Sequence, residues 1–187
     1  VMTYVNGQLS GEGSGVAMSV DSSGKYTYII TCAHVISDKG VTYGILTSSK
    51  KNYEAELVAY DVRTDIGVLK VEATDIPLAE FGDSKSLKVG EPVYAIGNPG
   101  GSEFFGSFTD GIVSAIDRSI SGTYTMTCIQ HNAAINPGNS GGPLVNGYGA
   151  VGTVDEFIDG TEVFKSVKSV VNGVQPVILT EQHENFV

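Results

Sequence analysis

Three side chains in this sequence have the types needed for nucleophilic acyl transfer: Ser140, His34 and Asp65. Ser140 sits in Ala133-Ala134-Ile135-Asn136-Pro137-Gly138-Asn139-Ser140-Gly141-Gly142-Pro143-Leu144, a glycine-rich bend between an apolar approach and an apolar exit. Glycine accepts positive φ and lets a ligand come close to the main chain, while Pro137 fixes one φ and removes an N–H. Such a bend projects a hydroxyl outward. It also turns the N–H groups of Gly138 and Ser140, on either side of Asn139, toward one point, which is the arrangement that holds the oxyanion of an acyl-transfer intermediate. An isolated G-x-S-G-G fits equally a hairpin turn whose serine caps the backbone. The motif therefore needs a base and an orienting acid elsewhere in the chain.

The chain has three histidines: His34, His131 and His183. His34 ends the apolar run Ile29-Ile30-Thr31-Cys32-Ala33-His34, and Asp65 opens the run Asp65-Ile66-Gly67-Val68-Leu69. Singly, each reads as a structural residue at a strand end. Together with Ser140 they supply what serine chemistry requires: an imidazole to take the hydroxyl proton, and a carboxylate to fix its tautomer and stabilise the imidazolium. The order His34, Asp65, Ser140 is that of the chymotrypsin-type triad, not of subtilisins or α/β-hydrolases. His131, although close in sequence to the serine loop, reads as a strand or loop residue.

These residues must be carried by short strands. The chain of 187 residues is 41% hydrophobic and 17% charged, with 24 glycines, as expected of a folded domain and not of a disordered segment. A net charge of −10 argues against nucleic-acid or anionic-membrane binding. Cys32 and Cys128 have no metal-site spacing and read as buried free thiols. No cofactor or metal is expected. Val/Ile/Thr/Tyr runs at 16–20, 26–31, 41–47, 53–60 and 66–71 predict one β block containing His34 and Asp65. Runs at 91–96, 107–116, 124–130, 143–145 and 150–154 predict a second containing Ser140. The expected architecture is a single all-β domain over 1–187: an N-terminal antiparallel barrel at about 11–75, a connector at about 75–90 and a C-terminal barrel at about 91–180. The site would lie in the cleft between the barrels. In the last forty residues Val163, Phe164, Val167, Val170 and Val171 recur at helical spacing before Gly173, although so many valines also suit a strand.

The boxes Gly13-Ser14-Gly15-Val16, Thr31-Cys32-Ala33-His34-Val35, Thr64-Asp65-Ile66-Gly67-Val68-Leu69 and residues 133–144 together resemble the trypsin-like serine protease domain of the HtrA/Deg family. Residues 89–99 and 111–116 resemble it as well. The resemblance implies two packed six-stranded barrels and an ATP-independent endopeptidase acting on misfolded or extended protein. It also implies a homotrimer and an extracytoplasmic location. Any PDZ domain or membrane anchor would lie outside these residues. Gly138, Asn139 and Ser140 would form the oxyanion loop; Ala134, Ile135 and Asn136, with a cleft-edge strand around Thr153, Val154 and Asp155, would bind substrate by strand addition. Tyr4, in a short N-terminal arm outside the barrel, would pack between protomers. Asn139 stands where zymogen-type proteases carry an aspartate that pairs with a freed N-terminus, so no activation by N-terminal cleavage is expected. The segment 154–179 departs from the family pattern. That departure leaves a second reading, a non-catalytic peptide-binding or chaperone-like module on the same fold.

Overall fold

The computed structural model describes residues 1–121, 125–153 and 164–166. The chain is nearly all β, in two antiparallel units. The first contains β1 (Met2–Val5), β2 (Gln8–Glu12), β3 (Val16–Val20), β4 (Thr27–Cys32), β5 (Val41–Leu46), β6 (Asn52–Asp61) and β7 (Ile66–Val71), with the four-residue helix α1 (Ala33–Ile36) after β4. The second contains β8 (Pro92–Gly97), β9 (Ser107–Ser121), β10 (Thr125–His131), β11 (Pro143–Asn146), β12 (Gly149–Thr153) and β13 (Phe164–Ser166).

Period-two alternation sets which faces turn inward. In β7, Gly67, Leu69 and Val71 are buried while Ile66, Val68 and Lys70 lie partly exposed between them. In β8 the buried set is Val93, Ala95 and Gly97. The first unit closes over Ile29, Ile36, Tyr43, Ile45, Leu69 and Val71, and the second over Leu87, Val93, Val113, Ile129, Ile135 and Leu144. Between the units, residues 72–91 hold a one-turn 3-10 helix at Ser84–Ser86 and a bridge from Phe81 to Ala150.

The second unit is a closed barrel of six strands, in the order β10-β13-β12-β11-β8-β9. The first is a seven-stranded sheet, β2-β1-β5-β6-β7-β4-β3. Its two outermost strands are consecutive in the chain, joined only by Gly13, Ser14 and Gly15. The sheet therefore curls back on itself through one bent stave, 8–20, that carries both of its edge strands. In the second unit, closure leaves no long free edge to template aggregation.

One expectation changes. Tyr4 is not in an arm outside the barrel: β1 pairs with β2 on one side and β5 on the other, with Tyr4 opposite Leu9 and Thr42. The apolar-polar alternation of a four-residue strand is too short to reveal this from sequence. Of the stretch that suited either a helix or a strand, Phe164–Ser166 is a strand, β13, between β10 and β12, while Val163, Val167, Val170 and Val171 lie outside the described residues. Cys32 and Cys128 are buried and unbridged, as expected.

Candidate active site

Asp65 and His34 come together because β4 and β7 are paired, with Cys32 opposite Ile66. Asp65 precedes β7 and His34 follows β4, so the ladder brings both to one end of the sheet. Asp65 is buried and uses three acceptors on this junction. Its carbonyl accepts the Ala33 N–H at 2.9 Å, Oδ1 accepts the His34 N–H at 2.7 Å, and Oδ2 lies 2.7 Å from His34 Nδ1. The carboxylate thereby holds Nδ1 as the protonated ring nitrogen. Asp65 does this with φ of 52°, a left-handed conformation that costs a non-glycine residue energy, about 1–3 kcal/mol. The His34 side chain is 43% exposed, so the imidazole faces outward from the pair.

Ser140 lies in the loop between β10 and β11, and that loop packs against the same junction. A Cβ on Gly141 would stand 2.3 Å from Thr31 Oγ1 and 2.9 Å from the Cys32 N, and its φ is 86°. Gly141 thus lets the serine loop touch the strand that leads into His34. Gly138, with φ of 100°, has the Asn98 carbonyl 2.2 Å from where a Cβ would be. No side chain fits there. Ser140 is buried, and its Oγ makes no hydrogen bond among the described residues. Contacts of this kind are often long before substrate binds.

The five loop carbonyls from 136 to 140 are all occupied. Asn136 O accepts from Asn139 N, Pro137 O from Gly100 N, Gly138 O from Ser14 Oγ, Asn139 O from Gly142 N, and Ser140 O from Ser14 N, at 2.7–3.0 Å. A trans peptide points its N–H opposite its C=O. With Pro137 O drawn to Gly100, the Gly138 N–H faces away from Gly100. With Asn139 O drawn to Gly142, the Ser140 N–H faces away from Gly142. The peptide orientations of the oxyanion loop are thus set before any ligand arrives.

A family model for the trypsin-like peptidase domain matches residues 13–152. The chain belongs to that family. A probable periplasmic serine endoprotease of DegP type from Marinomonas is 44% identical over 140 residues, covering 75% of this chain and 28% of the relative. The serine protease Do-like HtrA of Lactococcus lactis is 42% identical over 151 residues, covering 77% of this chain and 36% of the relative. Among solved structures, the HtrA-type protease AlgW with a decapeptide superposes with a TM-score of 0.72 at 32% identity, covering 85% of this chain and 47% of AlgW. The resemblance read from the motif boxes is borne out. The chain spans about a third of the length of the curated relatives it matches.

Within this peptidase domain several expected site residues have different positions from those anticipated. Asn139 cannot serve as an oxyanion donor, because its N–H already donates to Asn136 O. Ile135 packs into the second core and does not present its side chain to substrate, whereas Ala134 and Asn136 on either side are exposed. Thr153 is not at an edge: its backbone pairs with Pro143 on one side and Lys165 on the other, since β12 is interior to a closed barrel. Val154 and Asp155 lie outside the described residues. His131 is buried and structural; its Nδ1 accepts the Ala133 N–H at 3.1 Å, and burial pushes its pKa down to about 3.

Two other features of the peptidase domain bear on ligands. Cys32, His34 and Asp65 offer S, N and O atoms within 4.8 Å of one another. The 2.7 Å Nδ1–Oδ2 separation is hydrogen-bond spacing, shorter than the roughly 3.3 Å between two ligands of a tetrahedral zinc with bonds near 2.0 Å. The trio suits proton holding better than metal. A cavity of about 230 Å³ is lined by Ser14, Ile29, Ile45, Ile76, Ile96 and Asn98, and none of Ser140, His34 and Asp65 reaches it. Sequence reading assigned no role to Ser14 or Asn98, although both lie in boxes that carry the family resemblance.

Proposed function

We propose that this domain is a serine endopeptidase. The observation that carries the reading is the buried Asp65 carboxylate, which grips both the backbone N–H and the Nδ1 of a half-exposed histidine beside a serine loop whose peptides are already oriented. Ser140 Oγ attacks the substrate carbonyl while His34 Nε2 takes its proton. The N–H groups of Gly138 and Ser140 stabilise the tetrahedral oxyanion, each worth on the order of 100- to 1,000-fold in rate. His34 then gives the proton to the leaving amine, and water hydrolyses the acyl-enzyme by the same steps in reverse roles.

The likeness to HtrA proteases supports extended or unfolded protein as the substrate class, in a protein quality-control role, and AlgW is a member seen together with a decapeptide. An extracytoplasmic site of action is part of the same proposal, in line with the periplasmic designation of the Marinomonas relative. No helix among the described residues is long and apolar enough to cross a membrane. A homotrimer is proposed from the family likeness, and light scattering tests it: a monomeric mass contradicts it.

A fluorophosphonate probe tests the chemistry. It should form one covalent adduct per chain, on the peptide containing Ser140, and none with Ser140→Ala. A non-catalytic peptide-binding module would stay unlabelled while still binding peptide.

A further inference from the structure

We propose that Ser14 is a positioning residue for the oxyanion site, clasping the carbonyls of Gly138 and Ser140 from the opposite barrel. The proposal rests on the serine endopeptidase reading and adds a residue to it.

Ser14 is buried at the bend where β2 passes into β3, the point at which the first barrel closes. Its hydroxyl donates to Gly138 O at 2.7 Å and accepts from Asn98 N at 3.0 Å. Its backbone N–H donates to Ser140 O at 2.8 Å. Its own carbonyl accepts from Thr31 Oγ1 at 2.7 Å. One residue therefore ties together the β8 end, the serine loop and the strand that leads to His34.

Of the five loop carbonyls from 136 to 140, four accept from backbone N–H groups and one, Gly138 O, accepts from a side chain. That side-chain anchor helps fix the Gly138–Asn139 peptide, which lies between the two peptides that supply the proposed oxyanion donors. A buried carbonyl that loses a hydroxyl donor is held less firmly in its orientation. For Gly138 O this means rotation of the peptide, and rotation re-aims the flanking N–H groups. The consequence falls on the transition state, where the oxyanion forms, more than on the bound substrate.

The test uses Ser14→Ala and Thr31→Val, the latter leaving Ser14 in place but removing the donor to its carbonyl. Cleavage of a peptide amide is measured well below each variant's unfolding temperature and normalised to sites titrated with a fluorophosphonate. Ser14→Ala should lower kcat per titrated site by about 10- to 100-fold, less than outright loss of an oxyanion donor, with KM within about twofold. A peptide aldehyde, which binds as a tetrahedral adduct, should weaken by the same factor as kcat. Thr31→Val should shift kcat in the same direction by severalfold, and it stands in if Ser14→Ala does not fold. A purely structural Ser14 would lower the unfolding temperature and the titrated fraction but leave kcat per site unchanged; that result overturns the proposal. Wild-type protein that neither cleaves nor labels would overturn the endopeptidase reading, and this proposal with it, whereas active wild type matched per site by both variants overturns the positioning role alone.

Discussion

Asp65 combines a strained backbone with three accepted hydrogen bonds, and its role follows from that combination. Asp65→Asn keeps the shape but offers an amide where a second acceptor oxygen is needed, so the Nδ1–H tautomer of His34 is lost. A fall in kcat of about 10⁴-fold is expected, with the fold intact by circular dichroism. His131 makes a separate prediction, on stability. Burial holds its pKa near 3 against an ordinary value of 6.5, so the unfolded chain takes up a proton below about pH 6.5 that the folded chain refuses until about pH 3. The folded state is therefore weakened as pH falls through that window. Between pH 7.5 and 5 the wild type should lose about 2 kcal/mol more than His131→Asn, read from urea unfolding. Equal slopes would show that His131 is not kept neutral. The residues of the pair were legible in the sequence because only His34 stands at the end of an apolar strand with a carboxylate box following in triad order. Ser14 was not legible: its bond to Gly138 spans 124 positions, and nothing local in Gly-Ser-Gly announces a partner on another barrel.

At the scale of elements, β4 and β7 act as the support for the acid and base. Their ladder runs unbroken from Thr27↔Val71 to Cys32↔Ile66. Leu69, fully buried at its centre, fixes the sheet to the first core. Leu69→Ala should cost about 2–5 kcal/mol by calorimetry or denaturant titration. A loss below about 1 kcal/mol would mean that the first core does not close as described. Most strands were readable from alternating apolar runs and turn signals; the Asp21 hairpin is an example, its Oδ1 accepting from Lys25 N and Tyr26 N at 2.8 Å. Alternation gives the buried face of a strand but not its neighbours. That is why the pairing of β1, the bent stave at 8–20 and the interior position of Thr153 emerged only from the fold. Ile135 misled for a related reason: one residue in an irregular approach carries no periodicity, and it turned inward to the second core.

Over the whole molecule, the first barrel carries the proposed acid and base, Asp65 and His34, the second carries the proposed nucleophile Ser140 and its loop, and the Ser14 bend joins them. This division explains why the serine loop needs glycine at 141, where the two barrels approach too closely for a side chain, while Gly138 is crowded by Asn98 and Gly100 of its own barrel. It also predicts that chemistry at Ser140 will be sensitive to Ser14 in the other barrel. The net charge of −10 disfavours polyanions as ligands, and unfolded polypeptide is the substrate proposed for the cleft. Digestion of unfolded casein by the wild-type chain and by Ser140→Ala, side by side, tests the central claim most directly. The account predicts discrete peptide products from the wild type and none from the variant, a difference on the order of a million-fold in kcat. Casein left whole by both proteins, or cut equally by both, would contradict it.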